Sequence, residues 1–269
     1  MVSSELKIDF MSTKISMFYK QGFFSNCNII LNTIINYFNT YKILPSNVDT
    51  SKSFDIYKPN HLTDTDIMNH FFVKDNISSI QYNQDIPDIT DYNYINYKTI
   101  DYNSLNPFIN KYFKLNDEMN SIVTQLESKY EIDTDNYIAI YYRGTDRHSQ
   151  TTDDEFIEYE DKLKLILTDN STLKILLLTD SKQAYDYFNT RYNIAFITEN
   201  KTSSTHTGIH LENDSDTNYN DIKNFLASKF IISKCKYIIC SSGYGSLFTM
   251  FFRNNANNVY QLLNDTWYT

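Results

Sequence analysis

The sequence predicts an α/β fold with a mainly parallel sheet, and three observations support this prediction. In the second half of the chain, short apolar runs of strand length alternate with helical patterns, which is typical of a parallel sheet covered by helices. No proline follows Pro107, so these elements run without a helix or strand breaker. Near the N-terminus a strand, a glycine turn and a helix repeat the same arrangement.

In chain order, the first predicted elements are a strand at Lys14–Tyr19, a loop at 20–26 that contains Gly22, and an apolar helix at about 27–38. The stretch 81–106 is rich in Tyr, Asn and Asp and lacks sustained periodicity. A long helix at 107–130 is expected to join the two halves. The sequence therefore predicts two domains, with residues 1–132 in the first and 133–269 in the second.

The second half supplies the remaining elements. Five strands are predicted at 137–142, 173–178, 194–198, 237–240 and 259–262. Four helices are predicted between them, at 154–167, 182–190, 219–234 and 244–253.

Composition limits the classes of protein to consider. The formal net charge of −9 argues against non-specific binding to nucleic acid, which requires a basic face. The cysteines Cys27, Cys235 and Cys240 lie in or beside apolar segments, as reduced and packed thiols do. The sequence shows neither a membrane span nor a signal-peptide pattern. We therefore expect a soluble protein of the cytoplasm or another intracellular compartment.

Ligands of open parallel sheets bind outside the carboxyl ends of the strands, and the residues that follow the strands here are polar. The segment SSGYGS at 241–246 would place backbone N–H groups and serine hydroxyls at a helix N-terminus, where a phosphate is favoured. A plain serine N-cap with a glycine turn explains the same segment equally well. Arg143 would complete a clamp on a diphosphate, or would form a surface ion pair with Asp146.

Other polar positions also have two interpretations each. Asp180 either accepts hydrogen bonds from a nucleoside or caps the helix that follows it. His210 either contacts a ligand and moves a proton or is simply solvated. The acidic run at 153–155 lies near a substrate hydroxyl or is the negative first turn of a helix.

The chain lacks the sequence motifs of several common classes of enzyme and metal site. The chain has no Cys/His cluster with metal-ligand spacing, no Walker motif, no complete G-x-G-x-x-G and no G-x-S-x-G. We therefore predict neither a metal nor a bound cofactor.

Four motifs, in this order, resemble the fucosyltransferases that use GDP-fucose, in particular the α-1,6-fucosyltransferase and protein O-fucosyltransferase superfamily. That family carries H-x-R-R-T-D-[KR] or H-x-R-x-G-D after one strand, then a T-D pair, a G-[LI]-H loop and a serine-rich turn. This chain has YYRGTDR at 141–147, LTD at 178–180, GIH at 208–210 and CSSG at 240–243. The segment GFFSN at 22–26 resembles the family's G-x-x-N loop, whose asparagine faces the cleft.

The resemblance implies a GT-B-like architecture of two Rossmann-like domains that face a cleft. The donor nucleotide sugar would bind the second domain, and a glycan or protein acceptor would be held mainly by the first. The implied activity is an inverting, metal-independent glycosyltransferase that moves fucose from GDP-fucose to an acceptor hydroxyl.

The resemblance also implies roles for single residues. Arg143 would bind the β-phosphate and stabilise the leaving group, Asp146 would brace the site, and Asp180 would help to bind the nucleoside. The candidate catalytic residues are Arg143, Asp146 and Asp154. The candidate donor-binding residues are Gly22, Asn26, Arg143, Thr145, Asp180, His210, Ser241, Ser242, Gly243 and Ser246.

The chain departs from the family pattern at three places. The motif histidine is Tyr141, and the second arginine is Gly144. The family's glutamate has no fixed counterpart among 151–155, so the catalytic base is open. Two alternatives keep the same fold: a glycosyltransferase for another nucleotide sugar, and a module that binds a sugar nucleotide or glycan without turnover.

Overall fold

A computed structural model describes residues 6–9, 14–19, 22–63, 65–73, 84–144, 153–205 and 208–269 of the chain. Its fold is α/β, with a small sheet in the first half and a larger, mainly parallel sheet in the second. Among the helices of these ranges, none combines the length and the apolar character needed to cross a bilayer.

The first half is built on one β-α-β unit. Strand β1 (Leu6–Asp9) runs antiparallel to β2 (Lys14–Tyr19), and β2 runs parallel to β3 (Asn47–Ser53). The crossover between β2 and β3 is helix α1 (Phe23–Tyr41), because parallel neighbours cannot be joined by a tight turn.

Short 3₁₀ turns and two helices follow β3. Helix α2 (Tyr102–Tyr112) and helix α3 (Asp117–Lys129) lead into the second half. The 3₁₀ turns are Asp55–Tyr57, Asn60–Leu62, Met68–His70, Tyr92–Tyr94, Tyr97–Thr99 and, before the second sheet, Thr134–Asn136.

The second half forms a six-stranded sheet in the order β6-β5-β4-β7-β8-β9, parallel except for β9. Its strands are β4 (Tyr137–Tyr142), β5 (Lys174–Thr179), β6 (Ile194–Phe196), β7 (Tyr237–Ser241), β8 (Val259–Leu263) and β9 (Thr266–Tyr268). Its helices are α4 (Asp153–Asp169), α5 (Lys182–Arg191), α6 (Ile209–Glu212), α7 (Ser215–Lys234) and α8 (Tyr244–Arg253).

The mixed α/β fold with a parallel sheet is therefore confirmed. Strands β2 and β4 and helix α8 have the predicted bounds, and the other predicted strands of the second half differ by two residues at most. Helix α7 begins four residues earlier than predicted, because the Asp214 side chain caps it by accepting a hydrogen bond from Thr217 N at 2.7 Å.

Two predicted elements are wrong. The loop at 20–26 ends early, because Gly22 is the N-cap and Phe23 already begins α1 with its ring buried. The single helix at 107–130 is instead α2 and α3. The break comes at Asn116, whose side chain accepts a hydrogen bond from Met119 N at 2.9 Å and so caps a new helix.

The apolar core has two parts, one on each face of the larger sheet. The smaller lies under α4 and α5, around Tyr159 and Phe188. The larger is continuous between the two halves of the chain, since Phe24 of α1 and Phe113 both pack on Phe248 of α8. The division at residue 132 stays a prediction.

Candidate functional site

The topology of the larger sheet produces a crevice between β4 and β7. From β4 the chain proceeds to β5 and β6 on one side, and then returns through α7 to β7 on the other side. Where the strand order reverses, the loops that follow two adjacent parallel strands run to opposite sides of the sheet and leave a crevice between them. Open α/β sheets bind ligands in that crevice.

A cavity of about 320 Å³ lies at this edge of the sheet and is lined by both halves of the chain. The second half contributes the residues after β4 and β5, the α6 segment, α7 and the start of α8. The residues that line the cavity include Gly22, Phe23, Tyr57, Tyr141, Arg143, Asp180, Glu199, Lys201, His210, Asn218, Asp221, Phe225, Tyr244 and Gly245.

Arg143 is placed at the cavity by strand β4. All six residues of β4 are buried between β5 and β7, and Arg143 is the first residue beyond it. Asp180 stands at the equivalent place after β5, and its Oδ1 accepts a hydrogen bond from Gly144 N at 2.8 Å. The two strand ends are thus tied together, and the guanidinium and the carboxylate line the same cavity.

Asp180 does not cap the following helix, so that alternative is wrong. Ser181 is the N-cap of α5, and its Oγ accepts a hydrogen bond from Ala184 N at 3.2 Å. Asp180 therefore lines the cavity without serving as a helix cap.

Gly144 is required by close packing. A Cβ at this position would lie 2.7 Å from Tyr142 Cε1 and 3.0 Å from Ser181 Cβ, which is closer than carbon atoms approach. This packing gives a physical reason for a glycine at position 144.

The serine-rich turn after β7 makes its hydrogen bonds within the protein. Ser246 Oγ donates to Ser241 O at 2.5 Å, and Ser242 Oγ accepts from Gln261 Nε2 at 2.7 Å. Gly243 N donates to Tyr97 Oη at 3.0 Å. Ser241, Ser242 and Ser246 are buried, and the cavity is lined instead by the two residues at the start of α8, Tyr244 and Gly245.

Two helix N-termini meet the cavity. Both α1 and α8 start with a glycine N-cap, without a side-chain cap or an acidic residue in the first turn. Gly22 and Phe23 of α1 line the cavity, as does Gly245 of α8. Because helix N-termini carry partial positive charge, the electrostatic field at this wall favours an anion.

His210 is held at the cavity by its backbone. Asn218 Nδ2 donates to His210 O at 2.7 Å and to Ile56 O at 3.1 Å, which ties the short helix α6 to α7 and to the first half. The His210 ring lies 6.3 Å, centroid to centroid, from the ring of Tyr57.

The other charged lining residues are paired at the rim. Lys201 Nζ lies 2.8 Å from Asp221 Oδ2, and Lys129 Nζ lies 2.6 Å from Glu199 Oε1. Burial raises the pKa of Glu199, but hydrogen bonds from Lys129 and Tyr130 outweigh it and lower the pKa below its ordinary value. Within the described ranges, no three His, Cys, Asp or Glu side chains are grouped to hold a metal ion.

The remaining predicted site residues are either outside the described part of the chain or away from the cavity lining. Thr145 and Asp146 lie outside the described residues, and so does the side chain of Asp154, whose backbone is in the first turn of α4. Asn26 is buried inside α1, where its Nδ2 donates to Gly22 O at 3.2 Å, and it is not a lining residue. The proposed roles of these residues stay predictions.

Sequence reasoning missed Tyr57, Phe225 and Lys229. Tyr57 comes from a segment without periodicity and reaches the cavity by accepting a hydrogen bond from Phe23 N at 3.1 Å. Lys229 is fully buried. It lies on the same face of α7 as Ile222 and Phe225, and this face is otherwise apolar. A lysine in such a stripe is a signal that the sequence does contain.

Comparisons with known proteins were made for the whole chain. The sequence matches no protein-family model and no curated protein. Among solved structures, that of the α-1,6-fucosyltransferase NodZ soaked with GDP-fucose aligns with a TM-score of 0.39 and 12% sequence identity. The alignment covers 57% of this chain and 47% of that one, so this chain spans about half the length of its neighbour. A likeness this weak carries no argument about the site.

Proposed function

We propose that this protein is an inverting, metal-independent glycosyltransferase that transfers fucose from GDP-fucose to a hydroxyl of a glycan or protein acceptor. The observation that supports it is the convergence of separate motifs on one cavity. Arg143, Asp180, His210 and the start of α8 are far apart in sequence, yet all line the cavity at the crevice between β4 and β7.

The charge at the cavity suits a departing diphosphate. Arg143 offers a permanent guanidinium, and the N-termini of α1 and α8 add partial positive charge from two directions. Fixed positive charge of this kind stabilises a leaving group as its negative charge develops. The proposed reaction therefore draws its electrostatic stabilisation from the protein and needs no divalent cation.

Inversion requires a base that removes the acceptor proton on the side of the sugar opposite the diphosphate. The described carboxylates that line the cavity are engaged elsewhere: Asp180 with Gly144 N, Glu199 with Lys129, and Asp221 with Lys201. The structure thus favours none of these three as the base, and the base stays open among residues 151–155, which include the candidate catalytic residue Asp154.

The experiment that tests the proposal is a thermal-unfolding screen in a chelator against GDP, UDP, CDP, ADP and their sugar conjugates. A ligand that binds only the folded state at 100 times its Kd stabilises it by about 2.7 kcal/mol. We expect GDP and GDP-fucose to raise the unfolding temperature of the wild-type protein. Arg143→Ala should lose this response, whereas Arg191→Ala, at the far end of α5, should keep it.

A transfer assay then separates enzyme from binding module. Arg143→Ala should lower the rate of fucose transfer about 100-fold or more, as loss of a charge-stabilising group does. Full turnover by a folded Arg143→Ala variant would contradict the proposal. A response to a different nucleotide would indicate another donor, and binding of GDP-fucose without turnover would indicate the non-catalytic module.

A further inference from the structure

Lys229 places a buried amine among apolar side chains, and no described carboxylate accepts a hydrogen bond from it. Its side chain has 0% relative exposure, and no hydrogen-bond partner of Nζ is found in the described part of the chain. Buried lysines are rare unless they are paired, because an unpaired ammonium loses its hydration without compensation. Packing alone would be served at least as well by methionine, which has a similar shape and no polar atom.

Lys229 lies directly behind the cavity wall. Its Nζ stands 2.6 Å from the centroid of the Tyr141 ring and 5.4 Å from that of Phe225, and both residues line the cavity. A Cβ on Gly245, a third lining residue, would be 3.5 Å from Nζ and 3.1 Å from Tyr141 Oη. A ligand oxygen placed against Gly245 would therefore be near both the amine and the first turn of α8.

The groups around Lys229 come from every neighbouring strand end. Burial lowers the pKa of Lys229 well below its ordinary value; Cys240 on β7 raises it, Arg143 after β4 lowers it further, and Asp180 after β5 raises it. The Tyr141 ring also faces the amine. Without a ligand, the amine is thus held toward its neutral form.

We propose that Lys229 is a second anion-binding residue of this cavity, beside Arg143, and that its amine takes up a proton from the solvent when a diphosphate binds against Gly245. The identity of the nucleotide rests on the proposed function, whereas the diphosphate contact rests on the geometry described above. An anion at this place would supply the hydrogen-bond partner that the described part of the chain does not.

The proposal has a definite pH dependence. An anion favours the charged amine, so binding raises a pKa that burial had lowered. Affinity for the diphosphate should then be highest below the pKa of the free protein and should fall as the pH rises above it. At a pH between the pKa values of the free and the bound protein, binding should take up to about one proton from the buffer per diphosphate bound.

The experiment is calorimetric titration at pH 8 with GDP and, separately, with inorganic pyrophosphate, in two buffers of different ionisation enthalpy. The proteins are the wild type, Lys229→Met and the matched control Lys223→Met, which lies on the same helix but pairs with Glu118. We expect proton uptake by the wild type and by Lys223→Met. Lys229→Met should fold at least as stably without ligand, bind about 10-fold or more weakly, and take up no proton.

The outcomes distinguish failure of the role of Lys229 from failure of the proposed function. If the wild type binds GDP without proton uptake, or if Lys229→Met binds it as tightly as the wild type, the role of Lys229 is overturned and the proposed function stands. If the wild type binds pyrophosphate with proton uptake but binds no GDP, the donor assignment fails and the role of Lys229 is supported. If neither ligand binds, both proposals fail. Should Lys229→Met not fold, the proton count on the wild type still decides.

Discussion

At the end of β4, Arg143 lines the cavity next to Gly144, a position that has no room for a side chain. Asp180 accepts a hydrogen bond from the Gly144 N–H, and the Cε1 atom of Tyr142 lies 2.7 Å from where a Cβ would be. The orientation of Arg143 therefore depends on close backbone packing at the neighbouring residue.

Gly144→Ala should destabilise the protein by about 1–3 kcal/mol, the usual cost of overpacking a tight site. The added methyl group would displace the ring of Tyr142, whose hydroxyl donates to Glu155 Oε2 at 2.9 Å. The control is Gly22→Ala, since a Cβ at Gly22 would meet no atom within 4 Å, and its stability should stay within about 1 kcal/mol of the wild type. Denaturant unfolding measures both, and equal midpoints for the two variants would contradict the packing argument.

Sequence reasoning identified Arg143, Asp180 and His210 because each lies next to a strand end or in a recognisable short motif. It missed Lys229, although the apolar residues around this lysine were visible in the sequence. The position of Lys229 beside the cavity depends on its contacts with Tyr141 and Gly245, which are distant in sequence. Nor did the pattern SSGYGS at 241–246 show that its serine hydroxyls bond within the protein. That arrangement depends on Gln261 and Tyr97, which come from other parts of the fold.

At the scale of elements, the second half was predictable because its strands are short apolar runs that alternate with helical patterns. The polar strand β3, with the sequence NVDTSKS, gave no such signal, since its pairing with β2 is set by the crossover helix α1. The break between α2 and α3 was also missed. Residues 113–116 continue an apolar pattern, and the turn there is stabilised by a bridge between Phe72 and Leu115 that local sequence does not show.

Asn116→Ala tests what ends one helix and begins the next. The Asn116 side chain accepts from Met119 N and donates to Asn69 O at 3.0 Å, so its loss should destabilise the protein by about 1–2 kcal/mol. Asn110→Ala is the matched control, because Asn110 lies exposed within α2, where alanine is the better helix former. Urea unfolding should separate the two variants. If Asn116→Ala were as stable as Asn110→Ala, the cap would not account for the break.

At the scale of the whole molecule, the cavity exists because the two halves of the chain share one core. Phe24 of α1 contacts Phe225 of α7 at 6.0 Å and Phe248 of α8 at 5.5 Å between ring centroids. These contacts place the N-terminus of α1 opposite the carboxyl ends of β4 and β5. The sequence predicted a cleft between two units, whereas the apolar cluster shared by the halves depends on long-range packing that no local pattern shows.

The shared core predicts that both halves unfold together in urea, although the sequence suggests two domains. The three free cysteines are internal probes, because all are buried: Cys27 on α1 in the first half, Cys235 and Cys240 in the second. Pulsed alkylation followed by peptide mass spectrometry measures the exposure of each thiol as a function of urea concentration. The three thiols should share one unfolding midpoint, because unfolding of either half would expose the aromatic rings packed on Phe248. The fluorescence of Trp267, the single tryptophan, should follow the same curve. Exposure of Cys27 at a clearly lower urea concentration would instead show that the first half opens by itself and that the boundary near residue 132 separates independent domains.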